Sequence, residues 1–247
     1  MLNRGTAHYA LQTYEGEVHL WYASLDVPAD QLAFYSKLLS EDETARASRY
    51  IFDEPRNRYT TGRGILRTIL CRYLSICPDQ IAFTYGRQGK PDLLDPGDPP
   101  LRFNVAHTQA EMVIAVTHGR LIGVDIEYVR PLPDMMLVAE RFFSEREVSV
   151  LRSLPDAHQP QAFFNAWTRK EAILKTYGDG ISDALNTVEV SFAPGEPARV
   201  FSIRGDQGEA ARWSICPLTS PTGNPVAAVV EGRIQKIDST PYCYEII

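Results

Sequence analysis

At 247 residues, 44% hydrophobic and 23% charged, the chain has the composition of a soluble globular protein with an ample core, and its length lies between one and two domains. A net charge of −6 and an isoelectric point near 5.4 argue against nucleic acid as a partner, and no run of about 18 apolar residues marks a membrane span. The opening residues, Met1 to His8, lack the apolar core of a signal peptide. Cys71, Cys77, Cys216 and Cys243 form no C-x-x-C. They read as reduced thiols of a cytoplasmic protein, not as zinc ligands or disulfides.

In chain order, an apolar strand is predicted from Val18 to Leu25, followed by a Pro turn. A helix is opened by Ser40, with Glu43 three residues on as its capping box. A longer amphipathic helix runs from Pro55 to Leu74. Strands follow at Ile81–Thr84, Leu101–Ala106 and Met112–Thr117, with a turn-rich loop from Asp92 to Pro100. The order then repeats. A strand from Leu121 to Tyr128 and a Pro turn lead to a helix opened by Ser144 and Glu147. The long helix from Ala162 to Tyr177 stops before Gly178 and Gly180, and strands follow at Val188–Phe192, Ala198–Ile203, Arg212–Cys216 and Val226–Val230.

Four short matches preserve that order. Leu39–Glu43 resembles Phe143–Glu147 at an offset of 104, and Ile65–Thr68 resembles Ile173–Thr176 at 108. Gly89–Pro91 matches Gly195–Pro197 at 106, and Gly119–Leu121 matches Gly232–Ile234 at 113. Two related α+β halves, 1–120 and 121–247, account for them, with one asymmetric site between the halves.

The chemistry is concentrated in the second half. Asp125 and Glu127 are two apart on a strand, so both carboxylates leave one face roughly 6.6 Å apart. At an effective dielectric near 20, two such charges repel by about 2.5 kcal/mol, which invites a cation. In Trp167-Thr-Arg-Lys-Glu-Ala-Ile-Leu-Lys175 the helical stripe Trp167, Glu171, Lys175 adds a third carboxylate and an ammonium one turn away. Three carboxylates with a nearby Lys suit a magnesium ion that handles phosphates. The competing reading makes the D-x-E pair a solvated face and Glu171–Lys175 a surface pair worth a few tenths of a kcal/mol.

Arg46, Arg49, Arg56, Arg58, Arg63, Arg67 and Arg72 crowd one stretch of the first half. Most read as a helical face solvated by arginines, with one or two available to a phosphate. Gly89-Lys90-Pro91 is a stiff turn that can hold Lys90 toward an anion. His107, after the strand ending at Ala106, is either a hydrogen-bonded core histidine or a ligand contact. P-loop, dinucleotide-binding and nucleophile-elbow motifs are absent, as are paired-histidine metal spacings.

These segments resemble the Sfp-type 4′-phosphopantetheinyl transferases through most of the chain: R-Y-I-F at 49–52, R-N-R-Y-T-T-G-R at 56–63, G-K-P at 89–91, F-N-V-A-H at 103–107, G-V-D-I-E at 123–127, R-F-F-S at 141–144 and W-T-R-K-E-A-I-L-K at 167–175. The last three blocks are the specific ones. The resemblance implies a cytoplasmic α+β pseudodimer, a monomer without nucleic-acid or membrane partners. It would use coenzyme A to modify apo acyl or peptidyl carrier protein domains. It further implies that Asp125, Glu127 and Glu171 hold Mg2+ against the pyrophosphate and that Lys175 serves the leaving phosphate. Lys90 and His107, beside Pro91, would contact phosphates, with Arg46 and Arg58 toward the adenosine end. The family often has Ser where this chain has Ala106, so a hydroxyl contact would be missing, and Glu43 stands where a basic residue can occur.

The reaction so implied is transfer of phosphopantetheine to a carrier serine, with Glu171 as first choice of base and Glu127 as second. Trp167 is assigned to packing, and Lys170 either to the phosphate or to solvent. The competing functions are a magnesium-dependent phosphotransferase using another nucleotide, separable by whether coenzyme A or ATP protects against heat, and a non-catalytic coenzyme A- or carrier-binding protein.

Overall fold

In the computed structural model the chain is described at Leu11 and over 16–86, 89–178 and 185–242; Met1 to His8, Gly180 and Cys243 lie outside those residues. Strand β1 (Glu17–Ser24) alternates its burial. Val18, Leu20 and Tyr22 face one core, while Trp21 and Ala23 face another. Helices α1 (Ala29–Ser36), α2 (Glu41–Ala47) and α3 (Asp53–Leu74) follow, then the hairpin β2 (Phe83–Tyr85) and β3 (Pro91–Leu93), then β4 (Leu101–Thr108) and β5 (Glu111–His118). The second half repeats the series as β6 (Ile122–Ile126), α4 (Met135–Phe142), α5 (Glu145–Ser153), α6 (Gln159–Tyr177), β7 (Val188–Val190), β8 (Val200–Ile203), a short α7 (Gln207–Ala210), β9 (Trp213–Thr219) and β10 (Pro225–Glu231).

The sheets obey the same repeat. The order β1-β5-β4 in the first half corresponds to β6-β10-β9 in the second. Both sheets turn their inner faces toward one apolar interface, built of Val18, Leu20, Val113 and Ala115 against Ile122, Val124, Val226 and Ala228. Helix α3 covers the outer face of the first sheet and α6 that of the second, giving an α/β/β/α stack. The protein is an α+β fold of two similar halves. One strand departs from this symmetry. β11 (Lys236–Pro241), the last element in sequence, pairs parallel with β1 and so extends the first half's sheet.

The matching segments have a structural cause. Ser40 and Glu43 form the capping box of α2, and Ser144 and Glu147 that of α5. In each half the box glutamate is buried against a buried cation of the long helix. Arg67 Nε donates to Glu43 Oε2 at 2.8 Å, and the Lys170 ammonium donates to Glu147. Each cation also reaches carbonyls just beyond its helix: Arg67 donates to Pro78 and Ile81 at 2.9 and 2.8 Å, and Lys170 to Val188 at 2.5 Å. Arg67 and Lys170 are 103 residues apart, so the offset of 108 read from Ile65–Thr68 is five residues too long.

These pairs correct three expectations. Arg67 is 1% exposed and Arg63 8%, so neither belongs to a solvated face. Glu43 is a core capping residue and does not take a basic residue's place at a ligand. Lys170, fully buried, serves neither phosphate nor solvent. Trp167 packs edge-on against Phe142 and stacks on Phe163, in line with its assignment to packing.

Candidate active site

Helix α6 lies directly on β6, and Gly123 is what allows it. A Cβ on Gly123 would fall 2.0 Å from the Ala172 carbonyl oxygen. Asp125, two residues on and on the same face, therefore points under α6 and is 5% exposed. Glu171, from the overlying turn of α6, is 4% exposed. Glu127 follows the end of β6, where its N–H donates to the Pro225 carbonyl at 3.2 Å, and its side chain is half-buried.

The surface-pair reading of Glu171 and Lys175 fails on this burial. Lys175 instead donates to Asp125 Oδ1 at 2.6 Å. Asp125 Oδ2 and Glu171 Oε2 are buried with no hydrogen-bond partner. Buried carboxylate oxygens without donors are costly, which makes them candidates for an unshared cation.

Burial pushes the Asp125 carboxyl above its ordinary range, with the Lys175 ammonium opposing. Burial first, then the Asp125 charge, raises Glu127 to about 7. The same two causes in the same order raise Glu171 to about 8. The three carboxylates thus sense one another. They are not, however, gathered into a ready-made three-ligand cluster among the described residues. A hard cation that draws most of its oxygens from substrate and water does not require one.

Beside the carboxylates a cleft of about 730 Å³ runs along the N-terminal half of α3. Arg46, Arg58, Pro91, His107 and Glu127 line it, so the structure brings five of the sequence candidates to one wall system spanning both halves. Asp125, Glu171 and Lys175 are not among its lining residues. Arg46 is exposed, stacks on Tyr59 at 5.5 Å and makes no ion pair among the described residues. Arg58 is less free: both Asp26 oxygens accept from it, at 2.7 and 2.9 Å, and Glu54 pairs at 2.6 Å. Desolvation of the ring, then the Lys175 ammonium, lower the pKa of His107. Lys90 does not line the cleft. Its ammonium crosses from the first half to donate to the Lys175 carbonyl, at 2.5 Å, in the last turn of α6.

Two family models match the chain, "4′-phosphopantetheinyl transferase, N-terminal" over residues 26–119 and "4′-phosphopantetheinyl transferase superfamily" over 121–230. The chain is 46% identical to the 4′-phosphopantetheinyl transferase HetI of Nostoc sp. (strain PCC 7120) over 86% of each chain.

The chain belongs to the 4′-phosphopantetheinyl transferase superfamily.

The 4′-phosphopantetheinyl transferase psf-1 of Bacillus pumilus is 31% identical over 64% of this chain and 65% of its own length. For Sfp of Bacillus subtilis the figures are 28%, 63% and 67%. As a phosphopantetheinyl transferase the protein moves the 4′-phosphopantetheine group from coenzyme A to a carrier protein.

Some features of this transferase's site were given no individual role from the sequence, although Tyr59 and Arg63 fall within the 56–63 block. Tyr59 and Arg63, which carries cation–π contacts to Tyr59, Phe83 and Tyr85, line the cleft from α3. Arg130 lies 3.8 Å from Glu127. None of them stands at a spacing that singles it out. The Ala106 departure also changes meaning. Val105 and His107 face the cleft, whereas Ala106 is 3% exposed in the interface between the sheets, so a serine hydroxyl there would be buried away from the cleft.

Proposed function

We propose that this transferase is magnesium-dependent and that Asp125, Glu127 and Glu171 hold the ion beside the pyrophosphate of coenzyme A. The observation that carries the reading is the pair of buried, donor-less oxygens of Asp125 and Glu171 next to Glu127 at the end of a basic cleft. When bound, the ion would neutralise pyrophosphate charge and align it for displacement. Arg46 and Arg58 are assigned to the adenosine end, Pro91 to the cleft wall and His107 to the phosphates, while Lys90, outside the cleft, holds the end of α6 through the Lys175 carbonyl instead of contacting phosphate.

The carrier serine Oγ forms a bond to the β-phosphorus as the bond to the bridging oxygen breaks, releasing adenosine 3′,5′-bisphosphate. The serine proton passes to Glu171, whose carboxyl, raised to about 8 by burial and then the Asp125 charge, must first give up its own proton to act as the base. Glu127, which lines the cleft and sits at about 7, is the competing base. Lys175 faces the charge that builds on the leaving phosphate. Acyl or peptidyl carrier domains are the acceptors.

The enzyme is read as a cytoplasmic monomer. Both halves of the site lie on one chain, and Cys71, Cys77 and Cys216 are free thiols, which suits a reducing compartment. Nucleic acid and membranes are not assigned as partners, which the net charge of −6 supports. No helix among the described residues is long and apolar enough to cross a membrane.

Calorimetry tests the metal assignment. Because the protein supplies only a few of the ion's ligands, magnesium should bind more tightly when coenzyme A is present. Equal affinity with and without coenzyme A would remove the shared site.

A further inference from the structure

We propose that Asn104 and Thr108 are positioning residues that set the metal-side carboxylates in register with the coenzyme A cleft. β4 is the edge of the first half's sheet and β6 the edge of the second. The two edges lie side by side without pairing through their backbones. Side chains join them instead: Asn104 Oδ1 accepts from the Val124 N–H at 2.9 Å, and Thr108 Oγ1 accepts from the Tyr128 N–H at 3.2 Å. Both rungs span 20 residues, and both donors are edge N–H groups four apart on the segment that carries Asp125 and Glu127. Asn104 is 4% exposed, so its oxygen satisfies an N–H that would otherwise be stranded at the interface.

The geometry gives the rungs a specific task. Along β6 the N–H groups alternate in direction, so 124 and 128 point to β4 while that of Glu127 points to Pro225 on β10. Val124 and Ile126 pack between the sheets, and Asp125 faces α6. On β4, His107 lies between the two rungs and faces the cleft. Fixing 104 to 124 and 108 to 128 therefore fixes how far His107 stands from Asp125 and Glu127. A slip of one residue would turn both carboxylates' faces over. The middle position of this ladder, Ala106 opposite Ile126, carries no acceptor.

The proposal rests on the assignment of Asp125 and Glu127 given above, and the test separates the two. Asn104→Leu keeps the size and burial of the side chain and removes the acceptor. With saturating coenzyme A and apo carrier, its turnover should fall at least tenfold, while its Kd for coenzyme A, measured by calorimetry, changes less than threefold. A turnover within twofold of wild type, or turnover and coenzyme A affinity falling by the same factor, would overturn the positioning role. Should Asn104→Leu not fold, the Thr108 pair decides. Thr108→Ser retains the acceptor and should turn over at least fivefold faster than Thr108→Val, and equal rates would overturn the proposal. Asp125→Asn is the control for the underlying reading. If it remains active, the carboxylate assignment has failed; if it is inactive while both Asn104→Leu and Thr108→Val are normal, only the ladder has.

Discussion

The Lys175 ammonium sits 2.6 Å from Asp125 Oδ1, tying the last turns of α6 to the strand beneath across 50 residues of sequence. In the absence of metal, this lysine is the cation that offsets the buried Asp125 carboxylate. Lys175→Met keeps the apolar stem and strands that charge. Turnover should fall at least tenfold with coenzyme A affinity much less affected, read by single-turnover rates at saturating coenzyme A. The metal-free melting temperature should also fall, and Asp125→Asn in the same chain should recover it. A variant with normal chemistry would place Lys175 outside the reaction.

Proton linkage gives the metal-free protein a definite pH dependence. Glu171 at about 8 and Glu127 at about 7 keep protons in the folded state that the unfolded chain releases near 4.5. Folded pKa values raised above the unfolded ones mean that stability is lost as pH rises through the interval from about 4.5 to about 8. Melting temperatures in chelator should decline across that window, and Glu171→Gln should flatten the decline. A flat wild-type profile would show that these carboxylates are better solvated than their burial implies.

Gly123→Ala should be costly for a steric reason. Its Cβ would lie 2.0 Å from the Ala172 carbonyl, a backbone atom that cannot swing aside. Overpacking of this kind destabilises by about 3 kcal/mol, which for a chain of this size lowers Tm by roughly 6–12 °C. Activity should fall with it, because α6 must lift from Asp125. Thermal melts and turnover on the same preparation check both.

His107 and Lys90 should behave differently when each is replaced by Ala. His107 faces the cleft and makes no side-chain hydrogen bond to α6 or the carboxylates among the described residues, so its loss should weaken coenzyme A binding by about 1.5–3 kcal/mol and spare turnover at saturation. Lys90 caps the C-terminal end of α6 through the Lys175 carbonyl, at 2.5 Å. Its loss should lower turnover even at saturating coenzyme A. Identical profiles for the two variants would show that Lys90 acts on substrate alone.

Much of this architecture was legible because its signals are local. The capping boxes at Ser40 and Ser144 and the alternation along β1 and β6 need only neighbouring residues to be recognised. So do the D-x-E and K-E-x-x-x-K spacings. What was missed depends on contacts between distant segments. Glu43 and Arg67 look like surface charges until α2 folds against α3 and buries both. Asn104 gains a role only when β4 and β6 become adjacent edges. β11, Lys-Ile-Asp-Ser-Thr-Pro, has no alternating apolar pattern, because it is an exposed edge held through its backbone to β1. The helix match at 108 failed for a related reason: Ile-Leu recurs one turn on at Ile69-Leu70, which meets Ile173-Leu174 at 104, within one residue of the 103 that separates Arg67 from Lys170.

The most direct test is the intact mass of an apo carrier protein incubated with this enzyme and coenzyme A, with magnesium or with chelator, using the wild type and Asp125→Asn. The account predicts addition of one phosphopantetheine by the wild type with magnesium, and none in chelator or with Asp125→Asn. Modification at an undiminished rate in chelator, or by Asp125→Asn, would contradict it.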